Sequence, residues 1–222
     1  MDKDNKWFKS IEGVLYDKAV TKMLLFPRNN PIKIYKEPDT IVGEFSGNMV
    51  ARDYSLLNNL EEITFSRNSK NQTVGYMVSC KKLKKVTLPK NVITVFGGDI
   101  DDDGVFRDCQ SLETVVFEKG SKTKYIPSRA FEACEKLKHI ILPSSLTRIS
   151  YDAFNGCKGL EKISFSKKLT QIGASSFNGC TSLKDVKFAK KSKLTTISDN
   201  AFEGCKSLKK VVFSKKTKDD RQ

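Results

Sequence analysis

The sequence predicts an α/β repeat solenoid, a right-handed superhelix with short parallel strands and about seven repeats of 23–29 residues. Three observations lead to this prediction. One apolar pattern recurs along most of the chain, and each copy contains the period-two alternation of a short strand. No single copy could bury its apolar face without a neighbouring copy stacked on it. An apolar share of 38% in 222 residues still supplies a core.

The repeated unit reads Phe-x-x-Cys-x-x-Leu-x-x-Ile-x-Phe, then a polar turn, then Leu-Thr-x-Ile. The first part predicts a strand with one buried face, and Leu-Thr-x-Ile predicts a second short strand. The segment Asp-Ala-Phe-Asn-Gly-Cys at residues 152–157 predicts a tight helical turn. Successive copies begin at Tyr54, Met77, Phe106, Phe131, Phe154, Phe177 and Phe202.

These residues resemble one family, the BspA-like (Treponema-type) leucine-rich repeats. The best match consists of Ala130, Phe131, Cys134, Leu137, Ile140, Leu142, Pro143, Leu146 and Ile149. The resemblance covers residues 54–213, and the first copy departs from the pattern because Leu57 occupies the cysteine position. It implies a protein-binding module of the adhesion or scaffold type, often displayed at the cell surface.

The chain is expected to have three parts, and the repeats form the middle one. Residues 1–53 are predicted to be an N-terminal cap with a β-hairpin and a degenerate first coil, because residues 13–16 and 23–27 look like the hairpin that precedes such repeats. Residues 54–213 form the leucine-rich repeats, and residues 214–222 form a polar C-terminal tail.

The composition argues against an enzyme. His139 is the single histidine, and the sequence has no Gly-x-Gly-x-x-Gly, P-loop, Gly-x-Ser-x-Gly or Cys-x-x-Cys motif. We therefore expect no catalytic residues and no cofactor. The function predicted is non-enzymatic protein binding.

The six cysteines all occupy one position of the repeat. Equivalent residues of stacked coils lie about 4.8 Å apart, with parallel Cβ vectors that suit a disulfide poorly. Buried, reduced thiols are therefore expected. Asp99, Asp101 and Asp103 begin a calcium-loop pattern, but Gln110 stands where that loop needs a glutamate. A solvated acidic loop is preferred, and calcium is the weaker alternative.

Residues on either side of the central Ile or Val of each strand should point away from the core. These positions are expected to line the concave face, which is the usual binding surface of solenoids. The partner-binding residues predicted there are Val116, His139, Ile141, Lys162 and Lys187. The alternative is that Val116 and Ile141 reflect strand propensity alone. One position further out, Glu and Lys alternate from coil to coil, which predicts cross-strand charge pairs.

The formal charge of +14 comes mainly from lysine, with no aromatic platform among the lysines. Sequence-specific nucleic-acid binding is therefore not expected. A merely solvated lysine surface is the preferred interpretation, and an acidic protein or an anionic membrane surface as partner is the alternative. The longest apolar run has four residues, far fewer than the about 20 of a transmembrane helix.

Leu208, Val211 and Phe213 end the stack and are predicted to form an assembly edge. Homotypic or heterotypic stacking there gives the alternative function, a structural subunit of a larger intracellular assembly with a basic surface. No signal peptide is visible after Met1, which favours the cytoplasm. The family resemblance implies the cell surface instead, and the two locations remain open.

Overall fold

A computed structural model describes residues 5–21, 23–25, 30–40, 58–66, 77–91 and 104–212. These residues contain strands and turns but no helix, so none of them belongs to a helix that could span a membrane. The strands are β1 (Phe8–Ile11), β2 (Val14–Asp17), β3 (Met23–Leu25), β4 (Ile34–Lys36), β5 (Glu62–Thr64), β6 (Lys85–Leu88), β7 (Thr114–Phe117), β8 (Tyr125–Ile126), β9 (His139–Ile140), β10 (Arg148–Ile149), β11 (Lys162–Phe165), β12 (Gln171–Ile172), β13 (Asp185–Phe188), β14 (Thr196–Ile197) and β15 (Lys210–Val212).

The predicted solenoid with short parallel strands is confirmed. The first strands of successive coils form two parallel sheets, β4-β5-β6-β7-β9 and β11-β13-β15. The second strands form one continuous sheet, β8-β10-β12-β14. Second strands are described in four coils. The described part of the solenoid has about five turns, slightly fewer than the predicted repeat count.

The N-terminal strands form a separate antiparallel sheet in the order β1-β2-β3. This sheet contacts the first parallel strand through the hydroxyl groups of Tyr16 on β2 and Tyr35 on β4, which lie 2.9 Å apart in the interior. β4 then pairs in parallel with β5. The hydrogen bond between the tyrosines thus joins the antiparallel sheet to the start of the solenoid.

The core consists of columns of identical side chains. Phenylalanines at the start of five consecutive coils stack with ring centroids between 5.1 and 5.5 Å apart. Phe154 and Leu160 are completely buried, as the repeat pattern predicts. Along β11 and β13 burial alternates from residue to residue, so the outward-pointing positions also lie where the pattern predicts them.

The helical turn expected at residues 152–157 is an irregular turn instead. Asp152 and Gly156 both have left-handed backbone angles, with φ of 53° and 72°. The three residues between them are too few for an i→i−4 hydrogen bond. The turn is closed by i→i−3 bonds, such as the one that the Cys157 amide donates to the Phe154 carbonyl at 3.1 Å. The α part of the predicted fold class is therefore corrected.

The cysteine column is a hydrogen-bonded ladder of free thiols. The thiol of Cys157 donates to the carbonyl of Phe131 in the preceding coil at 3.1 Å, and Cys180 donates to Phe154 at 3.2 Å. Cys109, Cys134 and Cys205 make the equivalent bonds. Burial raises the pKa of Cys157 well above its ordinary value and opposes formation of the reactive thiolate.

Candidate functional site

The outward-pointing residues of β5, β6, β7, β9, β11 and β13 form a surface that we call the strand face. Its ladder is interrupted between β9 and β11, which belong to different sheets. β6 and β7 pair through four residue pairs. β9 pairs with β7 through only two, Thr114 with His139 and Val115 with Ile140. The strand face is therefore open at one position, although the second-strand sheet continues past it without interruption.

Pro143 supplies one physical reason for the early end of β9. In two other coils the equivalent residues, Glu118 and Ala189, each donate an amide hydrogen bond of 3.0 Å to the preceding coil. Proline has no N–H and cannot donate. The bond that would hold this part of the coil against Phe117 is thus lost, and Ile141 lies outside the ladder.

The charges beside the opening also differ from those elsewhere on the strand face. Glu61 lies 2.7 Å from Lys84 and 3.6 Å from Lys33 in the adjoining coils, as charge alternation predicts. The hydrogen bond from Lys84 holds the pKa of Glu61 below its usual value. Glu161 pairs with Lys184 at 3.4 Å on the β13 side. Among the described residues, no ion pair connects it with Lys138 across the opening.

The opening forms a depression of about 410 Å³. The side chain of Ile141 is 85% exposed, the highest fraction of any large apolar side chain in the described ranges. The depression is lined by Lys138, His139, Ile140, Ile141, Glu161 and Lys162. It therefore combines an exposed apolar side chain with a border of charged groups.

Three of the five predicted partner-binding residues, His139, Ile141 and Lys162, line this depression. Val116 lies one coil earlier with 37% of its surface exposed. Lys187 is further along the solenoid, opposite Ser164 in the register of β11 and β13. Neither of these two residues lines the depression.

The sequence interpretation did not select Lys138 and Glu161 for the site. Both residues belong to the column of alternating charge, which was the available signal in the sequence. That column predicted an ion pair between them, and the structure has an opening there instead.

The structure describes only some of the other predicted site residues. At the predicted assembly edge Leu208 is half-buried, and Val211 is 43% exposed. Phe213 and the calcium candidates Asp99, Asp101 and Asp103 lie outside the described residues.

Comparison with solved structures shows the same fold in bacterial leucine-rich repeat proteins. One from Eubacterium ventriosum superposes with a TM-score of 0.67 at 20% identity, covering 98% of this chain and 53% of that protein. A leucine-rich cell surface protein from Faecalibacterium prausnitzii gives 0.54 at 19% identity, with 95% and 55% covered. One from Bacteroides ovatus gives 0.50 at 25% identity, with 70% and 49% covered.

The chain thus spans about half the length of these structures. No curated protein matches the chain. The BspA type leucine-rich repeat region matches residues 51–98 and 99–220 in six copies. The match covers most of the chain and follows the same coils that form the solenoid, so the protein belongs to the BspA-type leucine-rich repeat family.

Proposed function

We propose that this chain is a non-enzymatic protein-binding module that holds its partner on the strand face, the concave face of the sequence prediction. The observation that carries the proposal is the exposure of Ile141 beside the opening between β9 and β11. Val116 and Lys187 extend the same surface to either side, and His139 and Lys162 border its centre. The Faecalibacterium neighbour is described as a leucine-rich cell surface protein, and a module of the adhesion type would suit that location.

The arrangement suits a protein interface. Binding energy in such interfaces concentrates in a few apolar or aromatic residues surrounded by polar groups that exclude water. Ile141 would supply the apolar centre. Lys138, Lys162 and Glu161 would supply the polar border. The excess of lysine in that border favours a partner segment with acidic side chains next to an apolar one.

Catalysis finds less support. The cysteine thiols, the strongest potential nucleophiles of the chain, are turned into the core ladder and not toward the depression. Burial is the main cause that raises the pKa of Cys109, Cys134, Cys157 and Cys180. A thiol kept protonated in this way is a poor nucleophile.

Site-specific photocrosslinking tests the proposal. A photoreactive phenylalanine replaces Ile141 in one variant and Lys136, an exposed residue on a turn before the strand, in a control. Each variant is irradiated in an extract of the native cells, and crosslinked proteins are identified by mass spectrometry. A protein that crosslinks at position 141 but not at 136 is the expected result. Identical products at the two positions would contradict the proposal.

The identified partner then permits a quantitative test. The double substitution Val116→Asp and Ile141→Asp should weaken its binding about tenfold or more, because two apolar contacts are lost. Both side chains are exposed, so the unfolding midpoint should change little. Lys136→Asp is the matched control. Unchanged affinity in the double variant would show that the partner binds elsewhere.

A second candidate function, a structural subunit, rests on the last described coil. Val211 is 43% exposed, whereas Val186 at the equivalent position of the preceding coil is completely buried. Phe202 and Leu208 are also only partly buried. We propose that a second copy stacks on this surface. Light scattering of the chain with and without Val211→Lys tests this idea, and a monomer at tens of micromolar in both cases would refute it.

A further inference from the structure

The turns that follow the first strands lie on one edge of the solenoid, which we call the exit edge; it comprises residues 88–91, 117–124, 142–147, 165–170 and 188–195. Main-chain hydrogen bonds hold neighbouring turns together. The Lys122 amide donates to the Lys90 carbonyl at 2.8 Å, and the Lys193 amide donates to the Lys167 carbonyl at 3.0 Å. Between these two pairs of turns, the side-chain hydroxyl of Ser145 donates to the Ser121 carbonyl at 2.8 Å. The exit edge is therefore a continuous ribbon.

This ribbon is strongly basic. Its five turns contain nine lysines and one acidic residue, Glu118. Lys90, Lys122, Lys167, Lys168, Lys190 and Lys193 are all exposed, and none of these six forms an ion pair with a described residue. The turn at 142–147 carries no lysine, so the charge falls into two groups separated by one coil.

The acidic partners lie elsewhere on the solenoid. Ion pairs between described residues occur on the strand face and on the turns before the strands, through Glu61, Glu62, Asp108, Glu132, Glu135, Asp152 and Glu161. The lysines on those surfaces are partly neutralised in this way. On the exit edge the positive charges remain close to each other, which is electrostatically unfavourable until an anion approaches.

We propose that the exit edge binds a linear anionic polysaccharide, at a surface separate from the proposed protein-binding face. Coils stack about 5 Å apart, so an extended polyanion that follows the ribbon meets lysines in successive coils. The turn without lysine leaves a gap of about 10 Å between the two groups, which a polysaccharide chain can cross. Ser144, on the turn without lysine, is exposed along the same path, and a serine hydroxyl suits the hydroxyl groups of sugars.

The chemistry of the ribbon disfavours the other common polyanions. Single-stranded nucleic acid binding relies on aromatic side chains that stack with the bases. The lysines of the exit edge are separated by serine, glycine and threonine. A membrane-bound surface usually adds apolar side chains that insert between lipids. The large apolar side chains of these turns are either buried in the core, as Leu169 is, or partly buried against it, as Leu142 and Leu194 are.

Binding of the full chain to immobilised heparin tests the proposal. The exit variant carries Lys167→Gln, Lys168→Gln, Lys190→Gln and Lys193→Gln. The control variant carries Lys136→Gln, Lys158→Gln, Lys184→Gln and Lys206→Gln, which removes the same charge from exposed lysines of the opposite turns. We expect the exit variant to bind about tenfold more weakly or worse and the salt dependence to become shallower, because fewer counterions are released. The control should stay within about threefold.

Three results would overturn the proposal. Equal losses in the two variants would show that net charge alone is responsible, and no loss in the exit variant would place the site elsewhere. Tighter binding of a (dT)20 oligonucleotide or of phosphatidylserine vesicles than of heparin would assign the ribbon to another class of polyanion. Binding of hyaluronan, which has carboxylates but no sulfates, shows whether the exit edge requires sulfate groups. Circular dichroism spectra that match the parent's establish that both variants are folded.

Discussion

The thiol of Cys157 donates its hydrogen to the main-chain carbonyl of Phe131, 3.1 Å away in the preceding coil. The repeat of this contact explains why the position is occupied by cysteine so regularly. A cysteine fits a small apolar space and can still satisfy a buried carbonyl group. An alanine would fit the space, but the carbonyl would then keep only the Cys134 amide of its own turn as a donor and lose the bond that links the two coils.

The buried thiols predict a loss of stability at high pH. Burial raises the pKa of Cys205 to about 11, and it raises the pKa values of Cys109, Cys134, Cys157 and Cys180 as well. In the unfolded chain these thiols ionise near 9.0. The folded state therefore keeps these thiol protons to a higher pH than the unfolded chain does. The stabilisation that the protonated thiols provide is complete below pH 9 and declines as pH rises toward the folded pKa values.

Urea denaturation at pH 7, 9 and 10.5 measures this effect. By pH 10, ionisation in the unfolded state should lower the unfolding free energy by about 1–2 kcal/mol for each buried thiol. Cys157→Ser should lower stability at pH 7 but reduce the further loss between pH 9 and 10.5, since serine does not ionise in this range. The same pH profile for parent and variant would contradict the assigned role of the thiol.

Phe154 and Leu160 should be essential to the stack. Both side chains are completely buried, and truncation of either to alanine should lower the unfolding free energy by about 2–5 kcal/mol through loss of apolar burial and formation of a cavity. Lys162→Ala on the exposed side of β11 should change it by no more than about 0.5 kcal/mol. Equal urea midpoints for the three variants would refute the register.

Ser176→Ala should stabilise the protein. The Ser176 hydroxyl is buried and has no hydrogen-bond partner among the described residues, at a position that alanine occupies in the neighbouring coils as Ala153 and Ala201. Removing an unsatisfied buried hydroxyl should raise the unfolding free energy by about 1 kcal/mol. Ser145→Ala is the control expected to destabilise, because that hydroxyl donates to the carbonyls of Ser121 and Thr123. Thermal denaturation compares the two, and a lower midpoint for Ser176→Ala would disprove the assignment.

Gly179→Ala should destabilise the turn that contains it. Gly179 has a φ of 69°, in the left-handed region that costs other residues about 1–2 kcal/mol. An added Cβ would lie 3.7 Å from the Gly156 amide nitrogen, an ordinary contact, so backbone strain and not a clash should cause the loss. Gly120→Ala, with a φ of 81° and no atom near the added Cβ, should cost a similar amount. Denaturation midpoints of the two variants equal to that of the parent would show that this strain is negligible.

The N-terminal cap assigned to residues 1–53 stays a proposal. The hydrogen bond between Tyr16 and Tyr35 supports it, because it joins the antiparallel sheet to β4 in the interior. The cap would cover the first coil of the solenoid and so protect the open end of its core.

The register of the repeat could be predicted from the sequence because burial has a simple spacing in a strand. Ile163 and Phe165 are two residues apart and both turn inward, while Lys162 and Ser164 between them turn outward. Side-chain direction alternates in any strand, so apolar spacing alone is sufficient to assign the buried face. The same reasoning identified Ile141 as an outward-pointing residue, and it is largely exposed.

The turns could not be predicted in the same way. An alanine, a glycine and an aspartate all occupy the position before the cysteine with positive φ, at Ala133, Gly156 and Asp108. Nothing in the residue type of Ala133 signals this conformation. Stacking decides it, since each turn must align its amide groups with the carbonyl groups of the adjacent coil, as the Ala133 amide does with the Asn155 carbonyl at 2.8 Å.

The sequence by itself therefore determined the family, the parallel coils and the inward and outward faces of the strands, because these follow from local spacing and side-chain hydrophobicity. Only the tertiary structure decided that the turns in the described ranges are not helical and that the strand face opens between Ile140 and Lys162. Pro143 was visible in the sequence, but a proline also follows β6, at Pro89, where the ladder to the preceding strand β5 keeps three residue pairs. Whether such a residue ends a ladder depends on hydrogen bonds with neighbouring coils, which no single repeat contains.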